Sequence, residues 1–569
     1  MADDTRTAAE RPEVTEVRES GRTTVLVIGG GINGISTFRD LALQGVDVVL
    51  VERGDFASGA SSASSHMIHG GIRYLENGEF RLVKESVTER NGLIRIAPHY
   101  VKPLETTIPI YSTFSGILAA PLRFLRHRST KPQERGAVLI KVGLTIYDLF
   151  SRAGGTVPRH RFVGRKKSLA ALPALDPRIA YTATYYDASM HDPERLALDV
   201  LQDGRDAHPG AHALNYVEAI GRDGEAVLVR DRESGAEFAI AADVVVNTSG
   251  PWTDLTNERL GGLTRFMGGT KGSHIVLDNP ELLAATAGRE IFFEHSDGRI
   301  VLIYPLKGRV LVGTTDIDAD PREVPLCTEK EVDYFFALVR HVFPGIPVHR
   351  DQIVYRFSGI RPLPRHEDTA PGFVSRDYRI EVDSRRAVPH LSLVGGKWTT
   401  FRALGETMSD RILGILGRTR VVSTAGRAIG GGRDYPVGDA ARATWIAQHL
   451  GGAGERAETL LVRYGTRAAD VWRHVEQGPD APLAGGDLST RELEWMVENE
   501  LVVRLEDVIL RRTDLAFTGA VSERFLEEIA DALGPLLGWD PARVAREVES
   551  TRDLLDTRHG LSLAASARR

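Results

Sequence analysis

The stretch TTVLVIGGGINGISTFRDLALQGVDVVLVE, from Thr23 to Glu52, decides the fold of this chain. Its apolar first run indicates a buried strand, the glycines indicate a turn, and the following residues predict a helix that ends at Gly45. The run from Val46 to Val51 predicts a second buried strand. A strand, a helix and a second strand form a βαβ unit, so we expect an α/β fold built on a parallel sheet.

The glycines of this turn indicate a dinucleotide site. Gly29, Gly31 and Gly34 stand where a strand meets a helix, so peptide N–H groups and the positive helix end can approach a pyrophosphate. Glu52 follows Gly34 by 18 residues, which is close to the spacing of a carboxylate that binds a ribose 2′-hydroxyl and repels the 2′-phosphate of NADP. FAD and NAD share this fingerprint, and a tight turn in another kind of α/β sheet is the alternative.

Length and composition limit the classes of protein. A chain of 569 residues is too long for one core at ~150 residues per domain, so we expect two or three domains. The 71 basic and 77 acidic residues give a formal net charge of −6, which provides no overall field to attract nucleic acid. The single cysteine, Cys327, excludes an internal disulfide and cysteine-rich metal sites. Residues 1–22 predict a disordered tail, neither a signal peptide nor an anchor, and no apolar run is long enough to span a bilayer.

Later segments complete the sheet and add two further domains. Two apolar runs that end in glycine, Val244 to Gly250 and Leu391 to Gly396, predict strands that return to the same sheet after long insertions. Hairpin patterns over residues 222–240 and in RIVLIYPLKGRVLVG predict an antiparallel cap domain over the ligand. Helical signals follow residue 430: Ser489 and Glu492 have the spacing of a capping box, and Asp540 before Pro541 suits a helix start. We therefore predict a discontinuous dinucleotide-binding domain over about 23–110, 200–255 and 355–425 within the region 23–425, with inserted cap segments, and a helical domain over 430–569.

Five motifs carry a resemblance to a known family. They are SSASSHMIHGGIRYLENGEFRLV (Ser61 to Val83), KGSHIV (Lys271 to Val276), VGTTD (Val312 to Asp316), SGIRPL (Ser358 to Leu363) and GGKWTTFR (Gly395 to Arg402). In this order the sequence from about residue 23 to residue 402 resembles the FAD-dependent glycerol-3-phosphate dehydrogenases. The resemblance implies a Rossmann-like FAD-binding domain of the glutathione-reductase or D-amino-acid-oxidase type, an antiparallel β cap and a helical C-terminal domain.

The resemblance also implies a reaction and its substrate. Members of the family oxidise sn-glycerol 3-phosphate to dihydroxyacetone phosphate by hydride transfer to FAD, and pass the electrons to a quinone or, in the oxidases, to oxygen. The substrate phosphate needs fixed cations, for which Arg73, Arg361 and Lys397 are the candidates. Tyr74 and Thr315 could add neutral hydrogen bonds.

The alcohol proton needs a base with a pKa near the operating pH, which favours histidine over arginine. His69 and His274 both lie in matched motifs, and the choice between them stays open, with Arg361 as the electrostatic partner. No metal ligand is expected. The predicted FAD contacts come from the glycine turn, the serine-rich loop and the returning strands: Gly29, Gly31, Gly34, Glu52, Ser61, Ser62, Ser65, Gly250, Gly396, Lys397 and Thr399.

One position departs from the family pattern. The family motif commonly has lysine where this chain has His66, so a positive charge there is missing or depends on pH. Two rival functions therefore stay open. The first is a flavin oxidase that uses oxygen on glycerol 3-phosphate or on another hydroxy or amino substrate. The second is a FAD-binding sensor or scaffold without turnover.

The segment from Leu118 to Phe150 interleaves basic and apolar residues. This pattern suits docking on an anionic membrane surface, where a quinone is reached, and equally suits a solvated loop followed by a core helix. Pro121 and Pro132 interrupt any single amphipathic helix. The resemblance favours a cytoplasmic protein at the inner face of the cell membrane, and a homodimer is compatible with it.

Overall fold

The computed structural model describes residues 11–71, 80–113, 137–151, 157–294, 300–365, 377–384, 386–486 and 488–563. Its strands, in chain order, are β1 Arg22–Ile28, β2 Val48–Glu52, β3 Met67–Ile68, β4 Val101–Ile110, β5 Arg161–Gly164, β6 Tyr181–Met190, β7 Ala211–Asn215, β8 Val217–Asp223, β9 Ala226–Asp231, β10 Glu237–Asn247, β11 Thr270–Leu277, β12 Glu290–Glu294, β13 Ile300–Leu306, β14 Arg309–Gly313, β15 Ile317–Asp318, β16 Ile353–Arg361, β17 Arg379–Asp383, β18 His390–Val394, β19 Pro482–Leu483 and β20 Leu488–Ser489.

The α-helices of four or more residues are also numbered in chain order. They are α1 Pro12–Ser20, α2 Ile32–Leu43, α3 Phe80–Ile96, α4 Ala137–Ser151, α5 Arg165–Ala171, α6 Pro193–Ala207, α7 Thr253–Arg259, α8 Pro280–Ala285, α9 Glu329–Val342, α10 Phe401–Ile415, α11 Asp439–His449, α12 Arg456–Tyr464, α13 Ala468–Val475, α14 Thr490–Asn499, α15 Leu515–Thr518, α16 Glu523–Leu537 and α17 Pro541–His559.

The first sheet has a parallel centre in the order β18, β10, β1, β2, β7, with β17 antiparallel at its edge. Strand β1 pairs with β2 and with β10, so that Val25 lies opposite Val48 and Val244. The predicted βαβ unit and both returning strands are confirmed. Because the carboxyl ends of parallel strands meet at one edge, the glycine turn, Glu52 and the end of β10 come together there.

The second sheet covers this edge and is antiparallel apart from the pairing of β12 with β4. Its order is β15, β11, β14, β13, β12, β4, β6, β3, with β16 on β11 and β5 on β6. The predicted cap is confirmed for the hairpin β13–β14. The predicted hairpin within residues 222–240 is formed by β9 and the first residues of β10, and because β10 continues into the first sheet, the assignment of this hairpin to the cap is wrong. The predicted limits of the dinucleotide-binding pieces are also wrong at β4 and β16, which pair in the second sheet.

The predicted disordered tail is wrong for residues 12–20, which form α1. Pro12 begins this helix, and Val14 and Val17 are buried in the apolar cluster behind the first sheet. Arg11 donates to the Asn215 side chain over 2.7 Å. The spacing of Val14 and Val17 was the available sequence signal for this helix, and the apolar side chains that they pack against lie on strands distant in the sequence. Residues 1–10 lie outside the described part of the chain.

The helical C-terminal domain is confirmed. Helices α11 to α17 bury an apolar cluster of their own, and α17 also packs on β16 of the cap. The predicted helix starts are correct: the Ser489 side chain caps α14 by accepting from the Glu492 N–H, and Asp540 caps α17 by accepting from the Arg543 N–H.

Candidate active site

The glycine turn between β1 and α2 forms one end of a cavity of about 700 Å³. Gly29 has φ +111, a region that favours glycine, and its missing Cβ faces the backbone of Ser249 at 2.8 Å. A Cβ on Gly34 would overlap the carbonyl oxygen of Gly29. Gly31 is the N-cap residue of α2, and Gly31, Ile32 and Asn33 at the start of this helix line the cavity. The turn therefore leaves room for a phosphate at the positive end of a helix.

Glu52 closes the same end of the cavity. Its Oε2 accepts a hydrogen bond from the Gly30 N–H over 2.7 Å, and its Oε1 accepts one from the Gly54 N–H over 2.9 Å. Burial raises the pKa of this carboxyl, and the two backbone donors oppose that shift. The carboxylate is thus fixed at the end of β2 beside the glycine turn, where a ribose hydroxyl would be bound.

The serine loop and the returning strands converge on this turn. The Ser61 hydroxyl accepts from the Ile32 N–H over 3.0 Å at the start of α2, and the Ser61 carbonyl accepts from the Trp398 indole over 2.9 Å. Ser62 donates to the Gly59 carbonyl over 3.0 Å. Gly250 lines the cavity with φ +60. Gly396, with φ +110, lies against the Asn33 side chain.

The residues at this cavity fit a bound dinucleotide. The buried Oδ1 of Asn33 lacks a hydrogen-bond partner among the described residues and lines the cavity. A buried orphan acceptor is expected to meet a ligand or water. The glycine turn supplies a cradle that a Cβ would fill, and Glu52 supplies a fixed acceptor. The sequence interpretation missed Asn33, although its position in the first turn after the glycines was a signal.

His274 lies in a slot on the face of the cap sheet. Its Nε2 is 2.8 Å from the Ser65 hydroxyl, and its ring stacks on Phe357 with centroids 4.8 Å apart. Gly313 lies opposite it on β14, where a Cβ would overlap the imidazole. Burial lowers the pKa of His274 well below the ordinary value, and the charge of Arg361 lowers it further. The ring is therefore neutral and its orientation is set by Ser65.

The buried Nδ1 of His274 has no partner within the described residues. Ser65 was predicted to contact the cofactor, and the structure joins it to this histidine instead, over a sequence separation of 209 residues. Phe357 and Gly313 were not predicted, because their proximity to His274 depends on strand register.

Arg361 lies on the same sheet face as His274. It donates to Asp316 Oδ1 over 2.9 Å, to the Thr314 hydroxyl over 2.9 Å and to the Thr315 carbonyl over 3.0 Å. Its guanidinium occupies the space that a side chain at Gly272 would need. The strand register places His274 opposite Phe357 and Thr270 opposite Arg361, which puts the histidine and the arginine on one face.

The Thr315 hydroxyl is hydrogen-bonded within the cap domain. It donates to Glu331 over 2.7 Å and accepts from the Ser273 N–H over 3.0 Å. Glu331 also accepts from Lys271 over 2.8 Å, and these contacts hold strand β11 against the start of α9. The predicted substrate contact at Thr315 therefore lacks a free donor in this arrangement, and the residue instead supports the backbone that carries His274.

His69 and Thr399 are brought together at the end of the serine loop. The Thr399 hydroxyl donates to the His69 carbonyl over 3.3 Å, and His69 is half-buried. Lys397 acts on a nearby carboxyl: burial raises the pKa of Glu85, and Arg81 and Lys397 oppose that rise. The predicted phosphate ligands Arg73 and Tyr74 lie outside the described residues.

A buried network that the sequence did not reveal holds the backbone after His69. The Gly70 N–H donates to Asp187 Oδ1 over 2.8 Å, and the Tyr147 hydroxyl donates to the same oxygen over 2.6 Å. The Arg90 guanidinium also donates to Asp187 Oδ1, over 3.0 Å. These residues are far apart in the sequence, so local patterns carry no signal for them.

His66 lines the cavity and is buried against Phe357 and Phe517. Burial lowers its pKa to about 4, Asp192 opposes this shift, and Lys307 adds to it. A pKa of about 4 agrees with the expectation that His66 is neutral at pH 7. The side chain supplies no positive charge to the cavity at that pH.

Stability should fall in acid because of this buried histidine. A histidine whose folded pKa is depressed contributes stability above the unfolded value near about 6.5, and that contribution is lost as pH falls toward the folded value of about 4. For His66 the loss is about 2 kcal/mol at pH 5. We expect His66→Leu to flatten the pH dependence of the unfolding free energy, measured by urea titration from pH 7.5 to pH 4.5. Identical slopes for the two proteins would contradict this assignment.

The basic and apolar segment is described only in part. Within it, α4 exposes Val138 and Val142, and Lys141 lies between them. The arginines at 123, 126, 128 and 135 and Lys131 lie outside the described residues, so neither alternative for this segment is decided. Among the described helices, none combines the length and apolarity needed to cross a bilayer.

The chain matches known proteins over most of its length. Residues 24–411 match the FAD dependent oxidoreductase (DAO) family, and residues 422–544 match the C-terminal domain of alpha-glycerophosphate oxidase. A glycerol-3-phosphate dehydrogenase of Synechocystis sp. is 33% identical, over 94% of this chain and 96% of that protein. A D-erythritol 1-phosphate dehydrogenase of Brucella abortus is 32% identical, over 88% of this chain and 97% of that protein.

A solved structure shares the fold. It is the X-ray structure of the glycerol-3-phosphate dehydrogenase from Bacillus halodurans complexed with FAD, which superposes with a TM-score of 0.73. The two sequences are 24% identical, and the match covers 96% of each chain.

Proposed function

The chain belongs to the FAD-dependent oxidoreductase family, and from this premise we propose that it oxidises sn-glycerol 3-phosphate to dihydroxyacetone phosphate and passes the electrons to a quinone. The predicted family resemblance, fold class and FAD cofactor are confirmed. One observation supports the proposed chemistry most directly. The cap sheet holds a neutral, oriented His274 and the cation Arg361 on one face, and His274 is hydrogen-bonded to Ser65 of the serine loop.

Substrate binding begins with the phosphate in this proposal. The guanidinium of Arg361 is held by Asp316, and its planar donor set suits two phosphate oxygens at once. Lys397 and Arg73 are proposed as further cations, on the strength of the family resemblance. The dianion beside Arg361 would offset the repulsion that this arginine exerts on a protonated His274. Substrate binding thus raises the basicity of the histidine.

The secondary alcohol then loses a proton and a hydride. We assign the proton to Nδ1 of His274, because Nε2 is engaged by the Ser65 hydroxyl and Nδ1 has no partner among the described residues. FAD, when bound, accepts the hydride from the alcohol carbon. The sheet face and the serine loop exclude water from the histidine, which is only 1% exposed. The product, dihydroxyacetone phosphate, stays bound to Arg361 through its phosphate until it is released.

Anaerobic mixing with substrate tests this function. Glycerol 3-phosphate should bleach the flavin absorbance of the purified protein, and an added short-chain quinone should restore it faster than air does. D-Erythritol 1-phosphate belongs in the same series, because one relative at 32% identity bears that activity in its name. Flavin that ignores both phosphates and is bleached by an amino acid would overturn the proposal in favour of an amine oxidase. Flavin that ignores every substrate would favour the sensor or scaffold.

The cellular setting is part of the same proposal. Peripheral attachment to the inner face of the cell membrane would bring the reduced protein to a lipid-soluble quinone, and exposed Val138 and Val142 beside Lys141 on α4 support contact with an anionic surface. A homodimer stays a prediction.

A further inference from the structure

The helical C-terminal domain supplies part of the wall of the dinucleotide cavity. Arg504, Glu506 and Arg511 line the cavity on one side, and Glu52 and Gly54 line it on the other. The match to a C-terminal family assigns this domain no task in binding FAD. Its contacts with the loop that follows Glu52 indicate one.

The first of these contacts is a buried acid held by two arginines. Asp55, three residues after Glu52, is 1% exposed, and it accepts from the Arg511 guanidinium and from both terminal nitrogens of Arg512, one of them over 3.0 Å. Asn215 Nδ2 donates to the same carboxylate over 3.0 Å. Burial raises the pKa of Asp55, but the two arginines outweigh that effect and hold it well below the ordinary value. The ion pair is therefore intact at neutral pH.

Arg511 and Arg512 lie at the end of a short π-helical turn, Val508–Arg512. Such turns are rare and occur frequently at functional sites. The turn presents two consecutive arginines to one carboxylate on the opposite domain. A buried pair of this kind is costly to break from either side, because the remaining charge is left without its partner.

The second contact fixes the end of the neighbouring strand. The Tyr216 N–H donates to the Gly54 carbonyl over 2.9 Å. The Tyr216 hydroxyl donates to Asp507 Oδ1 over 2.6 Å. The guanidinium of Arg504 lies 4.3 Å from the centre of the Tyr216 ring, and it donates to Glu233 over 2.8 and 2.6 Å. The domain therefore braces both the loop after β2 and the turn after β7.

We propose that the C-terminal domain retains FAD by bracing the loop Glu52–Asp55 and the turn at Tyr216, so that domain docking and FAD binding are coupled. The coupling arises because Glu52 is positioned by the N–H of Gly54, and Gly54 is in turn tied to Tyr216. Coupling between two sites is reciprocal, so bound FAD also stabilises the docked domain. This inference rests on the FAD site and is independent of the substrate and acceptor proposed above.

Two arginines of the C-terminal domain offer a matched test. Arg504 is 29% exposed and pairs with Glu233, which is 8% exposed. Arg467 is 26% exposed and pairs with Asp199, which is 7% exposed, and with Asp203 over 2.9 Å. Both pairs join the C-terminal domain to the first domain, but only Arg504 lines the cavity. The two variants Arg504→Met and Arg467→Met therefore both remove ion pairs between the same two domains, one at the cavity wall and one outside it.

The experiment uses the full-length protein after removal of its flavin. We expect the dissociation constant for FAD, measured by quenching of flavin fluorescence on titration, to rise about tenfold in Arg504→Met and less than about twofold in Arg467→Met. The melting temperature without FAD should fall in both, and at least as much in Arg467→Met, which loses its pairs with both Asp199 and Asp203. The gain in melting temperature at a fixed FAD concentration should be smaller for Arg504→Met, because the stabilisation by a ligand depends on its dissociation constant.

A milder variant keeps the test decisive if Arg504→Met fails to fold. Tyr216→Phe removes only the hydroxyl bonded to Asp507, and it should weaken FAD binding in the same direction by about threefold. Equal FAD affinity in all variants and the parent, or equal losses in Arg504→Met and Arg467→Met, would overturn the proposal. Because FAD affinity is measured without glycerol 3-phosphate, either result leaves the proposed reaction to its own test.

Discussion

Replacing His274 by glutamine is expected to slow flavin reduction by glycerol 3-phosphate by about 10²- to 10⁴-fold, which is the usual contribution of a positioned general base. Glutamine can retain a hydrogen bond to Ser65 but cannot take up the alcohol proton. The measurement is the rate constant of anaerobic bleaching at saturating substrate in a stopped-flow instrument. FAD should remain bound, because His274 lies on the cap sheet and not in the glycine turn.

A second histidine serves as the control for this variant. His390 is 7% exposed against 1% for His274, and burial lowers its pKa to about 4. It lies at the start of β18 in the first sheet, whereas His274 lies on β11 in the cap sheet. His390→Gln should therefore leave the reduction rate constant within about twofold of the parent. If His274→Gln also leaves it unchanged, His69 becomes the base, which is the alternative that the sequence left open.

Replacing Arg361 by methionine is expected to lower kcat/KM for glycerol 3-phosphate by about 10²- to 10³-fold, because the charge-assisted hydrogen bonds to the phosphate are lost. Most of the loss should appear in KM, since the arginine grips the phosphate before and after the reaction. Steady-state kinetics with a soluble quinone measure both constants. Lysine at this position should recover part of the loss, because it keeps the charge but not the two-point contact.

The same strand supplies the control for Arg361. Arg356 is 27% exposed and pairs with Glu329, while Arg361 is 23% exposed and pairs with Asp316. The two arginines stand five residues apart on β16 and so point to opposite faces of the sheet. Arg356→Met should leave kcat/KM within about twofold of the parent. Similar losses in both variants would mean that the strand, and not the phosphate contact, had been damaged.

Arg361 and His274 are also linked through charge. Arg361 lowers the pKa of the buried histidine, so removing it should raise that pKa. A base works in its neutral form, so the parent should keep its full reduction rate constant well into acid. In Arg361→Met the acid limb of the pH profile should move toward neutral pH. An unchanged profile would show that the two side chains do not interact.

Local sequence patterns were sufficient for the features that depend on neighbouring residues. The glycine turn follows from the spacing of Gly29, Gly31 and Gly34 between an apolar run and an amphipathic run, because both the turn and the helix start are local structures. Helix caps at Ser489 and Asp540 were predictable for the same reason. Sequence motifs also predicted, through the family resemblance, that His274 and Arg361 belong to one site.

Local patterns failed where a residue's role depends on a distant partner. The helix at residues 12–20 looked disordered because its two valines are paired with apolar side chains of the first sheet. The hairpin of β9 and the start of β10 has the same pattern as a cap hairpin, and only the pairing of β10 with β1 assigns it to the first sheet. Local patterns also gave no sign of the hydrogen bond between Thr315 and Glu331, and the substrate contact of Thr315 stays a prediction.

The sequence by itself determined the parallel α/β core, the dinucleotide turn and the family, because periodicity, turn chemistry and motif identity are written along the chain. Only the tertiary structure decided that Ser65 orients His274, that Phe357 and Gly313 form its slot, and that two arginines of the last domain hold the loop after Glu52. The physical reason is that hydrogen bonds, ring contacts and buried ion pairs act over a few ångströms of space, whereas Asp55 and Arg512 are separated by 457 positions of sequence.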